Sequence, residues 1–406
     1  YLYLSGLDSG TLEKKLTDII DLAGIRSIAF IDHPASLRLF PDYYSHAREA
    51  VDRVINSKAG NAATLRSFSA LYLKNAIKNI AYSPLMSPVN SLTGFWKGFS
   101  CIVVSSAPSI DHYINLIKKY ESKVMILAVD SAYPICRAHD IVPDAVITVD
   151  PQPWTEEHLI HIDPSIPVIS SVTSHFRRSR ESFISLNSHP LSQIFEHFFP
   201  ATGSVDSHTG TVAGDAIKAA AILGVKRIYL AGLDFSFPYH LIYSKDSAYN
   251  HRYSFLLNNR LNSSENSHEK YIRRSSSNTR IDGIRTRKSF IQYRDAVSSM
   301  LKEKHDFEFI HLSKGGISIP GTTSIFDIQT AEELFSKETP AGFKVSTRDK
   351  MNESKNTGMP DIHSIQRAFS DSELINQAIN ASVDPSFPKR RIIKIQSLLK
   401  TLLENI

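Results

Sequence analysis

From residue 99 onward, short unbroken apolar segments alternate with helical ones, and this alternation restricts the possible folds more than any other property of the chain. The apolar segments at 101–104, 124–129, 145–149, 168–171, 228–231 and 307–312 predict strands. Helical spacing fills 110–120, 133–139, 210–223 and 289–303 between them. A strand that is apolar on both faces must be covered on both faces, and crossover helices supply that cover. The predicted class is α/β, with a doubly wound, mostly parallel sheet.

Within this region the stretch 208–237, HTGTVAGDAIKAAAILGVKRIYLAGLDFSF, carries the most information. Thr209 and Gly210 form a turn that opens a helix of small apolar residues, which Gly224 ends. The next strand runs into Gly232-Leu233-Asp234. A turn leading into a helix N-terminus offers free backbone N–H groups and the positive end of a dipole, which suits a carboxylate or phosphate. An acid just past a strand's carboxyl end lies where open α/β sheets bind ligands.

The flanks differ. Residues 1–95 are expected to be mostly helical, with helices near 12–22, 43–55 and 64–80 and a short strand at 27–31. The sheet domain spans 96–340, polar residues 341–361 read as a linker, and 362–406 as a C-terminal helical region. The Ser-, Asn- and Arg-rich stretch 244–288 reads as a long loop of the kind that forms a lid. A chain that starts with Tyr1 rather than Met is expected to be trimmed from a longer protein.

Cys101 and Cys136 lie in apolar segments without metal-ligand spacing, so buried free thiols are expected, which favours the cytoplasm. No apolar run nears the roughly 18 residues of a membrane span. A net charge of +5 suits a small anionic ligand and gives no argument for nucleic acid. Eight basic residues stand against three acidic ones between Arg260 and Lys288.

Several side chains fall at strand ends. Ser105, Ser106, Ala107, Pro108 and Ser109 follow the first strand of the sheet, as either a plain turn with a helix cap or a phosphate loop. Asp130-Ser131 and Asp150-Pro151 follow the next two, and with Asp234 they put three acids on one sheet edge, as helix caps or as acceptors for ligand hydroxyls. No closely spaced acid pair suggests a metal, and neither a Walker A motif nor GxGxxG follows the first strand. Beyond Asp234, His240 and His251 stand among Tyr239, Tyr243 and Tyr249, with His208 a third histidine beside Thr209. Each is either a surface residue or a candidate base or phosphate ligand.

These residues resemble the motility-associated factor (Maf-type) flagellin glycosyltransferases, whose central domain is related to 6-hydroxymethylpterin pyrophosphokinase-like proteins. The segments that carry the likeness are LYLKNAIKNI (71–80), VSSAPSI (104–110), IVPDAVITVDPQ (141–152), 210–235, TRKSFIQYRD (286–295) and HLSKGGISIPGT (311–322). The order is also similar to bacterial sialyltransferases that use CMP-sialic acid, which implies a Rossmann-like, sialyltransferase-like sheet. The resemblance implies a donor site at Ser106, Ala107, Pro108, Ser109, Asp130, Ser131, Asp150, Thr209, Gly210 and Thr211. Asp130 and Asp150 would reach the cytidine or ribose, and Thr209 and Gly210 the donor carboxylate or phosphate. The sequence departs from that pattern at Asp130 and Asp150, where Asn is usual, and at Ser236, where a Tyr is usual. Tyr239 or Tyr243 stands in for that Tyr, and His240, His251 and Asp234 are the catalytic candidates.

The function so implied is transfer of a nonulosonic acid from CMP to Ser or Thr of flagellin, in the cytoplasm and without a metal or other cofactor. A pterin-type pyrophosphokinase using ATP and Mg²⁺, and a non-catalytic flagellin-binding chaperone, are the alternatives.

Overall fold

The computed structural model describes residues 31–175, 182–250, 263–275, 279–302 and 307–338, with residues 7, 11, 12, 15, 16, 363, 364 and 397 besides. The linker and C-terminal helices expected at 341–406 therefore lie almost wholly outside the described residues, as does the strand at 27–31. The chain divides into two compact units, Tyr1–Ser69 and Ala70–Ile406. The first has a small core of Leu12, Leu16, Ala50, Val51 and Val54.

Helix α1 (Pro34–Leu39) starts under a cap from His33, whose ring accepts the Ser36 N–H. Helix α2 (Pro41–Tyr82) is one continuous element where the sequence suggested two. The apparent break lies at 56–63, NSKAGNAA. Alanines there offset Gly60, which alone costs about 1 kcal/mol in a helix.

The second unit is built on one sheet of nine parallel strands. They are β1 (Ser87–Pro88), β2 (Ser100–Val104), β3 (Met125–Val129), β4 (Ala145–Thr148), β5 (Val168–Ser171), β6 (Ser182–Ser185), β7 (Arg227–Ala231), β10 (Glu308–Leu312) and β11 (Thr323–Ile325). Two short strands, β8 (Arg280–Ile281) and β9 (Ile284–Arg285), form a separate hairpin. The order across the main sheet is β1-β6-β5-β4-β3-β2-β7-β10-β11. The chain thus travels outward from β2 to β6, then returns to the other side of β2 to lay down β7. That reversal makes the β2–β7 seam the topological switch point.

The α/β class is as the sequence predicted. Strands β2, β3, β4 and β5 are buried along their whole length, so they read as continuous apolar runs. Helices α3 (Ile110–Lys119), α4 (Tyr133–Ala138), α5 (Trp154–His158), α6 (Pro190–Phe198), α7 (Val212–Ile222), α8 (Ser264–Ser275), α9 (Lys288–Leu301) and α10 (Ile328–Ser336) connect or flank the strands. The small residues of α7, with Ala213, Gly214, Ala216, Ala219 and Ala220 buried, bring it close against β2, β3 and β4. Both cysteines are buried free thiols.

One expectation changes. The stretch 244–288 is not a structureless loop: α8 and the β8–β9 hairpin fold within it. Ile272 and His268 are the buried points of α8, and Glu269 pairs with Arg273 one turn on. Asp282 (φ 51) and Gly283 (φ 78) give the hairpin the left-handed pair that a type I′ turn needs. The polar composition hid both elements because only one face of each meets the core.

Candidate functional site

The switch-point seam is closed at its carboxyl end by hydrogen bonds between the two loops that leave it. Ser105 N–H donates to the Ala231 carbonyl at 2.8 Å, and Ala107 N–H to the Gly232 carbonyl at 3.0 Å. Gly232 has φ +69, and a Cβ there would stand 2.2 Å from the Ser105 carbonyl oxygen, so only glycine fits. Asp234 lies beneath this loop at 1% exposure. Its Oδ2 accepts the Ser109 N–H at 2.9 Å, and its Oδ1 the Ser313 hydroxyl at 3.2 Å. Burial pushes its carboxyl up to about 6, and the hydrogen bonds from Ser109 and Ser313 limit the rise. Pro108 is buried with them.

The adjoining strand ends supply the other two acids. Asp130 is nearly buried, taking the Thr148 hydroxyl at 2.8 Å and the Ser131 N–H at 2.6 Å. Ser131 meets Ser106 hydroxyl to hydroxyl at 3.0 Å, which ties the β3 end to the β2 loop. Asp150 is half-buried, with its Oδ1 taking the Gln152 N–H at 2.8 Å. Burial and the nearby Asp130 charge raise its carboxyl above the ordinary range. His158 approaches Asp130 at 3.8 Å and lines a cleft of about 240 Å³ with Tyr133, Pro134, Arg137, His161 and Ala248.

Two asparagines one helical turn apart on α2 fix these loops. Asn75 donates to the Pro151 and Thr173 carbonyls, each at 3.0 Å. Asn79 donates to the carbonyls of Val172 at 2.8 Å and Ser174 at 2.9 Å. The i, i+4 spacing puts both amides on one face, so the β4 and β5 exits hang from a single helix. Asn187 repeats the device, donating to Ser171 and Thr173 hydroxyls.

The turn before α7 is built from short side chains. Asp206 accepts the His208 N–H at 3.0 Å and the Ser188 N–H at 3.1 Å, Asp215 accepts the Ser207 N–H at 2.7 Å, and Ser207 and Thr209 meet hydroxyl to hydroxyl at 2.8 Å. Thr211 is the N-cap, accepting the Ala213 and Gly214 N–H groups. Thr209 is buried, while Gly210 and His208 are exposed. A Cβ on Gly210 would lie 3.2 Å from the Tyr293 ring, so α9 comes down directly over the turn. Burial pushes the Asp215 carboxyl up to about 7.

Tyr72, from α2, ties the turn to the strand ends. Burial, and then the charges of Asp150 and Asp206, push its phenol up to about 12, and Tyr293 acts on it too. Tyr243 is half-buried and feels both Arg287 and Asp150. Asp150 and the Asp206–Gly210 turn both lie at the carboxyl edge of the sheet, and Tyr293 stands over the turn.

Tyr239 and His240 sit elsewhere. Tyr239 packs against His112 with ring centroids 5.3 Å apart, on the β10 side, and its hydroxyl donates to the Lys314 carbonyl at 3.4 Å. His240 is exposed and pairs with Glu269 at 3.2 Å. Phe235 (φ 46), Tyr239 (φ 56) and His240 (φ 59) all adopt left-handed backbone, a strain of order 1–3 kcal/mol each that marks the exit of β7. His251 lies outside the described residues. Tyr72, Tyr293, Asp206 and Arg287 were not singled out by sequence. The signals for the first two were present: Tyr72 is three residues before Asn75 on a segment already noted, and Tyr293 lies within TRKSFIQYRD. Among the described residues no three His, Cys, Asp or Glu side chains gather as a metal site.

Fold and strand ends together define an open, doubly wound α/β protein with polar side chains gathered at the carboxyl end of its switch point. Residues 74–240 match the family described as 6-hydroxymethylpterin diphosphokinase MptE-like. The fold is similar to the structure of MAf glycosyltransferase from Magnetospirillum magneticum AMB-1, with a TM-score of 0.50 at 13% identity. That likeness covers 98% of this chain and 67% of that one. The likenesses to a Maf-type glycosyltransferase and to the pterin pyrophosphokinase-like proteins, expected from the motifs, are thus found. Two uncharacterized proteins of Treponema pallidum (strain Nichols) are also similar. One is 29% identical over 85 residues, 21% of this chain and 40% of its own length. The other is 24% identical over 211 residues, 51% of this chain and 45% of its own length. The chain spans less than half the length of either curated relative.

Proposed function

We propose that the chain is a glycosyltransferase that moves a nonulosonic acid of the pseudaminic or legionaminic type from CMP to a Ser or Thr hydroxyl of flagellin, in the cytoplasm. The observation that carries this reading is the set of polar side chains at the carboxyl edge of the sheet, Asp130, Asp150 and the Asp206–Thr209 turn, with Tyr293 standing over Gly210. Carboxylates accept from ribose and sugar hydroxyls. Phenols and the turn's N–H groups donate to phosphate or carboxylate oxygens. The fold likeness to a Maf glycosyltransferase supports the same assignment.

In the proposed transfer the acceptor oxygen attacks the anomeric carbon of the sugar acid. The bond from that carbon to the phosphate oxygen breaks, and its electron pair leaves with CMP. The acceptor proton passes to a general base, for which His240, once it leaves Glu269 and moves in with its turn, is the first candidate and His251 the second. Ser106, Ala107, Pro108, Ser109 and Ser131 line the nucleotide side, Asp150 takes the ribose, and Thr209, Gly210 and Thr211 take the acidic group. Tyr243, or Tyr239 after movement of its turn, meets the leaving phosphate. Asp130 and Asp234, both engaged within the protein, position the loops that touch the donor. No metal is required by this scheme.

Calorimetric titration with CMP, with and without EDTA, tests it. EDTA-insensitive CMP binding that is lost in Asp150→Ala is expected. The MptE-like match over 74–240 favours a second reading, a pyrophosphokinase. Tight binding of ATP with Mg²⁺ and no binding of CMP would replace the first reading with that one. Binding of neither, with retained capture of flagellin, would leave a chaperone.

A further inference from the structure

We propose that Arg287 is the anion-binding residue of this cleft, taking a phosphate or carboxylate group of the ligand in its guanidinium fork. The inference rests on the reading above that the cleft holds a nucleotide-linked anion, and it adds a residue that neither the motifs nor the fold likeness assigns.

Arg287 sits at the N-cap of α9 and is half-buried. Its guanidinium carbon lies 4.0 Å from the centre of the Phe290 ring and 5.9 Å from that of Tyr271. One terminal N–H donates to the Tyr271 hydroxyl at 2.6 Å. Its Nε is buried and has no acceptor among the described residues. Among the described residues no carboxylate pairs with it, whereas Arg227, Arg273, Arg285 and Arg294 each pair with one. The acid closest in sequence on α8, Glu269, is already shared by His240, Arg273 and Arg285. A cation set against two rings, with an unused donor and no carboxylate partner among the described residues, is organised for an oxyanion that comes from outside the chain.

Its position fits that role. Arg287 opens the helix whose Tyr293 lies over Gly210. The sheet side of the cleft presents the carboxylates Asp150 and Asp206, which repel an anion. The complementary charge has to come from the α8–hairpin–α9 side. The excess of basic over acidic residues between Arg260 and Lys288 equals the net charge of the whole chain, +5.

The test is titration of wild type, Arg287→Lys, Arg287→Gln and Arg287→Ala with CMP, cytidine, a CMP-linked sugar acid and ATP. Arg287→Gln retains a donor for Tyr271 and a flat group for Phe290, so it separates loss of charge from loss of packing. A drop of tenfold or more in CMP affinity for Gln and Ala, a smaller drop for Lys and no change for cytidine would place the phosphate on Arg287. Unchanged CMP with weakened sugar-acid binding would place the carboxylate there, and would also support the proposal. If wild type binds ATP and not CMP, and the same variants lose ATP, Arg287 keeps its role while the CMP reading fails. Equal binding by wild type and Arg287→Gln of every ligand that binds would overturn the proposal. A wild type that binds none of the four would overturn it together with the reading it rests on.

Discussion

The Asp234 carboxylate accepts the Ser109 backbone N–H at 2.9 Å, across 125 positions of sequence. It closes the β2–β7 seam while lying out of reach of solvent. Burial raises its folded pKa from 3.8 to about 6, so the folded chain binds this proton more tightly than the unfolded one. The associated stability is complete below pH 3.8 and is lost as pH rises through about 6. Asn at this position can offer Oδ1 to Ser109 and its amide to the Ser313 hydroxyl without carrying charge. Asp234→Asn is therefore expected to raise the urea midpoint at pH 8 and to flatten its dependence between pH 4 and pH 6. An identical slope in the two proteins would show that Asp234 ionises freely in the folded state.

Gly214 is in the first turn of α7, where alanine would normally stabilise by about 1 kcal/mol. Here a Cβ would stand 1.9 Å from Thr209 Oγ1 and 2.7 Å from Ser207 Oγ. Gly214→Ala is expected to destabilise by about 1–3 kcal/mol, as overpacking does. Adding Thr209→Ala should recover part of that loss, because it removes the nearest atom. Thermal melts of the two variants check this, and a double variant no more stable than the single one would refute the contact.

Asn75 is buried and serves two carbonyls. Asn75→Ala should cost about 1–3 kcal/mol, the usual penalty for stranding buried polar groups. Asn75→Asp should cost more at pH 7, since a carboxylate cannot donate and would face both carbonyl oxygens. Urea unfolding ranks the two, and faster amide exchange at Asp150, Gln152 and 172–174 is expected in both. A milder effect for Asp than for Ala would contradict the donor role.

Glu338, after α10, is buried among Ser100, Arg227 and Tyr229. Burial alone would raise its carboxyl, but hydrogen bonds from Ser100, Tyr229 and Arg227 and the Lys226 charge hold it below the usual 4.5. Its contribution is present above pH 4.5 and lost as pH falls through the lowered folded value. Glu338→Ala leaves Arg227 short of a partner at the buried end of the pair and should cost about 3–5 kcal/mol at pH 7. The difference from wild type should shrink in acid. Equal midpoints at pH 7 would remove the cluster from the stability of the sheet.

The strands that the sequence revealed are those with unbroken apolar runs, β2 to β5, β7 and β10. It did not reveal β6, where Ser182 and Ser185 bracket Phe183 and Ile184, nor β1, which is two residues ending in Pro88. Those strands are set by their neighbours in the sheet rather than by their own pattern. The strand-end residues of the site could be located because a strand's end fixes where the following residue lies. Which way such a residue turns could not be read: Asp234 points under its loop, and nothing local to LAGLDF says so. Tyr72 comes from a helix ahead of the alternating pattern, and Tyr293 from α9 within it, so only tertiary packing shows what either side chain lies against.

The place of β7 in the sheet also sets a timetable. Strand β2 ends at 104, and β7, its partner on one flank, begins at 227. At the pace of translation, about 5–20 residues per second, that interval lasts about 6–25 seconds. Throughout it a nascent chain can assemble β2 to β6 while the β2 edge still lacks its neighbour, with a row of backbone donors and acceptors open to any passing strand. The fold's midline is thus among the last parts to be sealed on the ribosome, and a chaperone would find its client there.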